Sequence, residues 1–231
     1  MSLGRFASAA LLITALVLPV HAQDDKKRIE DLEKKVAELS QRVKELEDYL
    51  AQLKAMTAKA MTVSQVASNE RNASSSLKTL ATAEADFRAN DRDVNHVNDF
   101  WVGDVSGLYR YRVDGQEIKL IERALAAADA SPLKIRELSA LQIEKPLPKA
   151  GYLYTVLAKG FEDGRIVKYH SGGFRHNSMF GFAAYPVDYP AGGRSTFIIN
   201  ENNSVWRKDL GGKVPDTFPD DPAKDGWQRL D

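Results

Sequence analysis

The chain has 231 residues with no cysteine, 32 basic and 32 acidic side chains, and a mean hydropathy of −0.38. Without a thiol it forms no disulfide, carries no lipid on a cysteine and offers no thiolate to a metal. Without net charge it presents no overall field to draw nucleic acid or an acidic membrane surface, so neither is an expected partner.

Arg5, an apolar run from Ala9 to Val20, and the small residues Val20 and Ala22 on either side of His21 make a Sec-type signal peptide over residues 1–22, cut after Ala22. The apolar stretch falls short of the about 20 residues a bilayer needs and runs straight into charge, so no transmembrane helix is expected after cleavage. A retained anchor is the alternative. The expected location is outside the cytoplasm, in the periplasm, cell envelope or medium. What remains has room for one domain of roughly 130–150 residues beside a coiled coil.

A coiled coil is expected over residues 24–56. Ile29, Val36, Val43 and Leu50 alternate at spacings of three and four with Leu32, Leu39, Leu46 and Leu53. An apolar seam repeating every 3.5 residues is hidden from water only when another helix wraps against it. With Ile29 at position a, Arg28 and Arg42 at g face Glu33 and Glu47 at e in a parallel pair, whereas an antiparallel pair would set Arg and Lys against one another. Parallel pairing is therefore favoured. β-Branched residues at three of the four a positions and Leu at every d favour a homodimer, with a homotrimer open because Leu50 also sits at a. Asp31 to Lys35, Glu30 to Lys34 and Glu38 to Arg42 are i,i+4 pairs in the favourable order. The competing reading is an amphipathic helix packed on its own globular domain, but such helices show a wider apolar stripe.

Residues 57–74, rich in Ala, Ser and Thr without Gly or Pro, are expected as a helical stalk or a linker. Residues 75–231 form the expected globular part. Leu77, Leu80, Ala81 and Phe87 share a helical face with Ser75 and Ser76 as possible caps, and a second helix is expected from Gln116 to Ala128. The period then changes. Tyr152–Leu157, Phe180–Tyr185, Ser195–Asn200 and Val205–Lys208 are short aromatic and β-branched runs separated by turns such as Glu162-Asp163-Gly164 and Asn202-Asn203. They predict three or four antiparallel strands, and with the preceding helix an α+β fold whose sheet packs one face on that helix and leaves the other wet. The Pro-containing tail from Gly211 is expected to be loop, pinned by Trp227.

Two stretches carry a resemblance. Ser75 to Asp93 resembles the region of type IV pilins and type II secretion pseudopilins where the long N-terminal helix enters the head, and Phe180 to Gly211 resembles the last strands of bacterial secreted proteins with pilin-like heads. The resemblance implies a head in which a helix packs on a small antiparallel sheet. The prepilin cleavage site and its polymerising hydrophobic stem are absent from the sequence. The expectation is therefore a pilin-like head mounted on a soluble coiled coil.

For chemistry, the best candidate is a loop in which Asp91, Asp93, Asn95 and Asp99 take positions 1, 3, 5 and 9 of a D-x-D-x-N pattern that aims oxygens at Ca²⁺. His96 stands where that loop has Gly, and Val102 where it has Glu. The alternative is an Asx-rich turn capping its own backbone. His96, His170 and His176 have no zinc-ligand spacing, and Ser75-Ser76-Leu77-Lys78 and Ser131-Pro132-Leu133-Lys134 match S-x-x-K without its companion motifs. Trp101, Tyr109, Tyr111, Tyr152, Tyr154 and Trp206 are read as cross-strand packing before a ligand groove. No catalytic residue and no cofactor other than a possible Ca²⁺ is expected. The expected function is non-enzymatic: a coiled-coil oligomer presenting its heads to an envelope protein. The competing class is a small-ligand-binding or hydrolytic protein with a Ca²⁺-stabilised loop.

Overall fold

A computed structural model describes residues 7–60, 63–170 and 173–230, with side chains over 25–54 and from 63 onward. The expected signal peptide, residues 1–22, lies outside the described side chains. The chain divides into two compact units, Met1–Thr57 and Ala58–Asp231. Among the described residues no helix is long and apolar enough to cross a membrane.

Among the described residues the first unit is helix α1 (Ala7–Ala60) as far as Thr57. Its composition of Leu, Glu, Lys, Ala and Gln is that of strong helix formers. Of the expected i,i+4 pairs, Lys35 Nζ meets Asp31 Oδ2 at 2.7 Å.

The second unit contains α2 (Val63–Ala89), which takes in residues 63–74 of the stretch expected as stalk. Ser75 and Ser76 are therefore mid-helix residues and not caps. With no Gly or Pro to stop it, the helix needs only a surface to pack on, and it has one well before Ser75. Asn69 donates its Nδ2–H to the Gly192 carbonyl at 2.8 Å, and Glu70 Oε1 accepts the N–H groups of Arg194 and Ser195, each at 3.0 Å.

Next come β1 (Phe100–Trp101), α3 (Gly107–Arg110), β2 (Arg112–Val113), β3 (Gln116–Glu117) and α4 (Arg123–Ala127). The helix expected from Gln116 is thus only five residues long. Asp114 and Gly115, at φ 51° and 78°, turn β2 back into β3, so Gln116 and Glu117 are spent on a hairpin. Asp-Gly is the pair that such a two-residue turn prefers, because both positions need positive φ.

β4 (Tyr152–Val156), β5 (Lys159–Glu162), β6 (Arg165–Lys168), β7 (Arg175–His176), β8 (Gly181–Pro186), β9 (Thr196–Asn200), β10 (Trp206–Lys208) and β11 (Gln228–Arg229) follow. The fold is α+β. Its main sheet is antiparallel in the order β11-β10-β9-β8-β4, so all four expected strands pair and the tail supplies a fifth. Trp227, buried beside that added strand, holds the tail in place.

The sheet is not wet on either face at its centre, contrary to expectation. All five residues of β9 are buried, and successive residues of a strand point to opposite faces. α2 packs on β8 and β9, and Thr196 donates its hydroxyl to the Lys213 carbonyl. Leu77, Leu80 and Phe87 of α2 join Tyr152, Tyr154, Phe182 and Phe197 in one core. The aromatic residues Trp101, Tyr111, Tyr152 and Tyr154 are buried packing residues of that core.

Candidate functional site

In α1, the seam residues Ile29, Leu32, Val36, Leu39, Val43, Leu46 and Leu50 are each between 53% and 61% exposed, and Leu53 is 38% exposed. A fully regular apolar stripe therefore lies open to water within a single chain. Large residues scattered singly on a surface need no explanation, but a contiguous row marks an interface.

The Asp91–Asp99 loop turns its polar groups on itself. Asp91 accepts the N–H groups of Asn95 at 3.1 Å and His96 at 3.0 Å, and Asn95 Oδ1 accepts that of Val97 at 2.7 Å. Asn95 Nδ2 donates to Asp93 Oδ2 and Asp99 Oδ2 at 2.9 and 3.3 Å. These bonds hold Asp91, Val94 and His96 at φ 46°, 57° and 64°, an uncommon conformation for non-glycine residues. Among the described residues, no group of three or more His, Cys, Asp or Glu is placed to hold a metal ion. The four candidate Ca²⁺ ligands serve as turn caps and as partners of a cation already present.

That cation is Arg175. Its Nε lies 2.7 Å from Asp93 Oδ2 and 3.8 Å from Asp99 Oδ1, and its guanidinium sits 4.3 Å over the Trp101 ring, 5.0 Å over Tyr111 and 5.3 Å over Phe87. Beneath it, fully buried Glu84 accepts the Trp101 N–H at 2.9 Å. Burial pushes the Glu84 carboxyl well above the usual carboxyl range despite that bond and the nearby Arg175 charge. Glu84, which the sequence reading passes over, falls on the same helical face as Leu77, Leu80, Ala81 and Phe87, and a carboxyl in an apolar stripe is the signal that could have found it. Arg175 lies far along the chain and carried no such mark.

A second buried network ties Asp104, Ser106, Arg110 and Asp129. Asp104 Oδ2 accepts from Arg110 Nη2, Ser106 Oγ and the Leu133 N–H, all at 2.8 Å, while Oδ1 accepts from the Gly107 N–H at 2.8 Å and Trp101 Nε1 at 3.2 Å. Arg110 also donates to the carbonyls of Ser139 and Leu133 at 2.8 Å each. A Cβ on Gly107 would run into the Trp101 indole, which is why the chain has glycine there. Asp129 accepts the N–H groups of Ser106 at 2.8 Å and Ser131 at 2.9 Å.

Burial, reinforced by the Asp104 carboxylate, pushes Asp129 up to about 7. A carboxyl whose pKa is higher in the folded state binds its proton more tightly there. Its stabilisation is thus present at low pH and is lost as pH climbs from about 4 towards about 7. Burial moves Glu84, Asp99 and Glu201 in the same direction. His170 and His176, held by burial below the ordinary value, act oppositely near pH 6.5. The head is expected to melt at lower temperature at about pH 8 than at about pH 5, with Asp129→Asn flattening the slope. A melting temperature that climbs across that range contradicts this.

Among the described residues, His96, His170 and His176 are not assembled into a metal site. His96 is exposed beside Asp91 at 3.7 Å, and His176 Nδ1 accepts the N–H groups of Ser178 and Met179 at 3.3 and 3.0 Å.

No curated protein and no solved structure matches the chain. A family model described as a protein of unknown function (DUF2950) matches residues 14–222, a span that takes in both the apolar seam and nearly all of the head. The chain belongs to the DUF2950 family.

Proposed function

We propose that the protein is a non-enzymatic, exported oligomer, assembled through a parallel coiled coil over residues 24–56, that presents its α+β heads for contact with a protein or another component of the cell envelope. The observation that carries this is the row from Ile29 to Leu50, each side chain more than half exposed in the single chain. Burying such a row against a second or third copy removes its apolar surface from water and pairs Arg28 with Glu33 and Arg42 with Glu47. Several heads on one stalk raise avidity without strengthening any one contact. The pilin-like reading of the head draws support from α2 packed on β8 and β9. Export rests on the sequence from Arg5 to Ala22. Size-exclusion chromatography with light scattering on the chain starting at Gln23 tests the assembly. A mass of two or three chains is expected, and one chain per particle removes the proposal.

A further inference from the structure

Between α4 and β4 the chain runs from Ala128 to Gly151 without a helix or strand. Loops beyond about 12–15 residues without secondary structure are uncommon in compact domains, and ordered ones tend to carry function. This one is ordered. Arg110 grips the Leu133 and Ser139 carbonyls from beneath, the Ser139 N–H returns to the Arg110 carbonyl at 2.9 Å, and the Leu147 N–H bonds the Ala127 carbonyl at 2.8 Å.

Held in this way, the loop lines a cavity of about 600 Å³. That volume falls within the range of small-molecule sites, which are mostly apolar with a few placed polar groups. Leu133, Ile135, Leu138, Leu141 and Ile143 make its apolar wall. Leu133, Ile135 and Leu138 also pack on the core, whereas Leu141 and Ile143 are half-buried and lie outside it. Their apolar surface faces the cavity and not the domain interior.

The charges decide what fits. Arg110 at the floor is 4% exposed and its charge is already matched by Asp104 at 2.8 Å, so the depth of the cavity suits an uncharged chain. At the exposed rim stand Lys134, Lys145 and Glu144, one cation in excess. We infer that the cavity binds a single-chain aliphatic anion, such as a free medium-chain carboxylate, with its tail against Leu141 and Ile143 and its head between Lys134 and Lys145. This does not rest on the coiled-coil assembly.

Isothermal titration calorimetry of the full chain with monomeric decanoate, kept below its micelle concentration, tests it. Saturable binding at one site per chain is expected. Ile143→Trp, which puts a bulky ring into the apolar wall where the tail would lie, is expected to weaken it about tenfold or more. The pair Lys134→Glu and Lys145→Glu is expected to weaken decanoate several-fold while leaving 1-decanol unchanged. Near-UV circular dichroism checks that each variant keeps its fold. Absence of saturable heat overturns the inference, and so does unaltered binding by Ile143→Trp. Binding to phosphatidylglycerol vesicles without binding to decanoate overturns it as well.

Discussion

Under the proposed coiled-coil assembly, Leu39→Asp together with Leu46→Asp is expected to give single chains by light scattering, with loss of helical circular dichroism from α1. Both residues occupy d positions, where each knob inserts among four residues of the facing helix. A carboxylate there would be buried against its own copy with no cation to pair it, a penalty of several kcal/mol per site set against the modest stability of a short coiled coil. All three tryptophans, Trp101, Trp206 and Trp227, lie in the head. Their fluorescence should therefore report an unchanged head while the assembly falls apart. If the double variant keeps the wild-type mass, the seam is not what joins the chains.

Arg110→Met is expected to destabilise the head by about 3–5 kcal/mol, measured as a lower midpoint of urea unfolding followed by tryptophan fluorescence. The substitution roughly keeps the volume of the side chain but leaves Asp104, whose side chain is 1% exposed, without its cation. It also strips the Leu133 and Ser139 carbonyls of their donors. Breaking a buried pair costs more than deleting it whole, because the remaining charge stays desolvated. Adding Asp104→Asn to Arg110→Met, which removes the stranded charge but keeps an acceptor for the buried N–H groups around it, should therefore recover part of the loss, and the double-mutant cycle measures the coupling. A single-variant effect below about 1 kcal/mol would mean that water reaches Asp104 and that the network is not closed.

The elements that could be read along the chain are those set by neighbours in sequence. The seam from Ile29 to Leu53 shows its period in any seven residues. The four strand runs from Tyr152 to Lys208 announce themselves by aromatic and β-branched residues between turns. Elsewhere a turn or a tertiary contact outweighs the local periodicity. The helical spacing of Ile118, Ile121 and Leu125 favours a helix from Gln116, but the Asp114-Gly115 turn claims Gln116 and Glu117 for β3. The serines at 75 and 76 suggested a cap, but α2 was already held by Asn69 and Glu70 against the turn at residues 192–195.

The sequence by itself determined that α1 carries an apolar edge, that the rest of the chain is α+β, and that the candidate Ca²⁺ ligands share one loop. Only the tertiary structure decided that Asp93 and Asp99 face Arg175, that Glu84 is shut beneath it, and that Asp104, Arg110 and Asp129 form one buried network with a cavity above it. The physical reason is that periodicity is a property of neighbouring residues. Desolvation and charge pairing depend on groups far apart in sequence, such as Asp93 and Arg175, which meet only when the core closes.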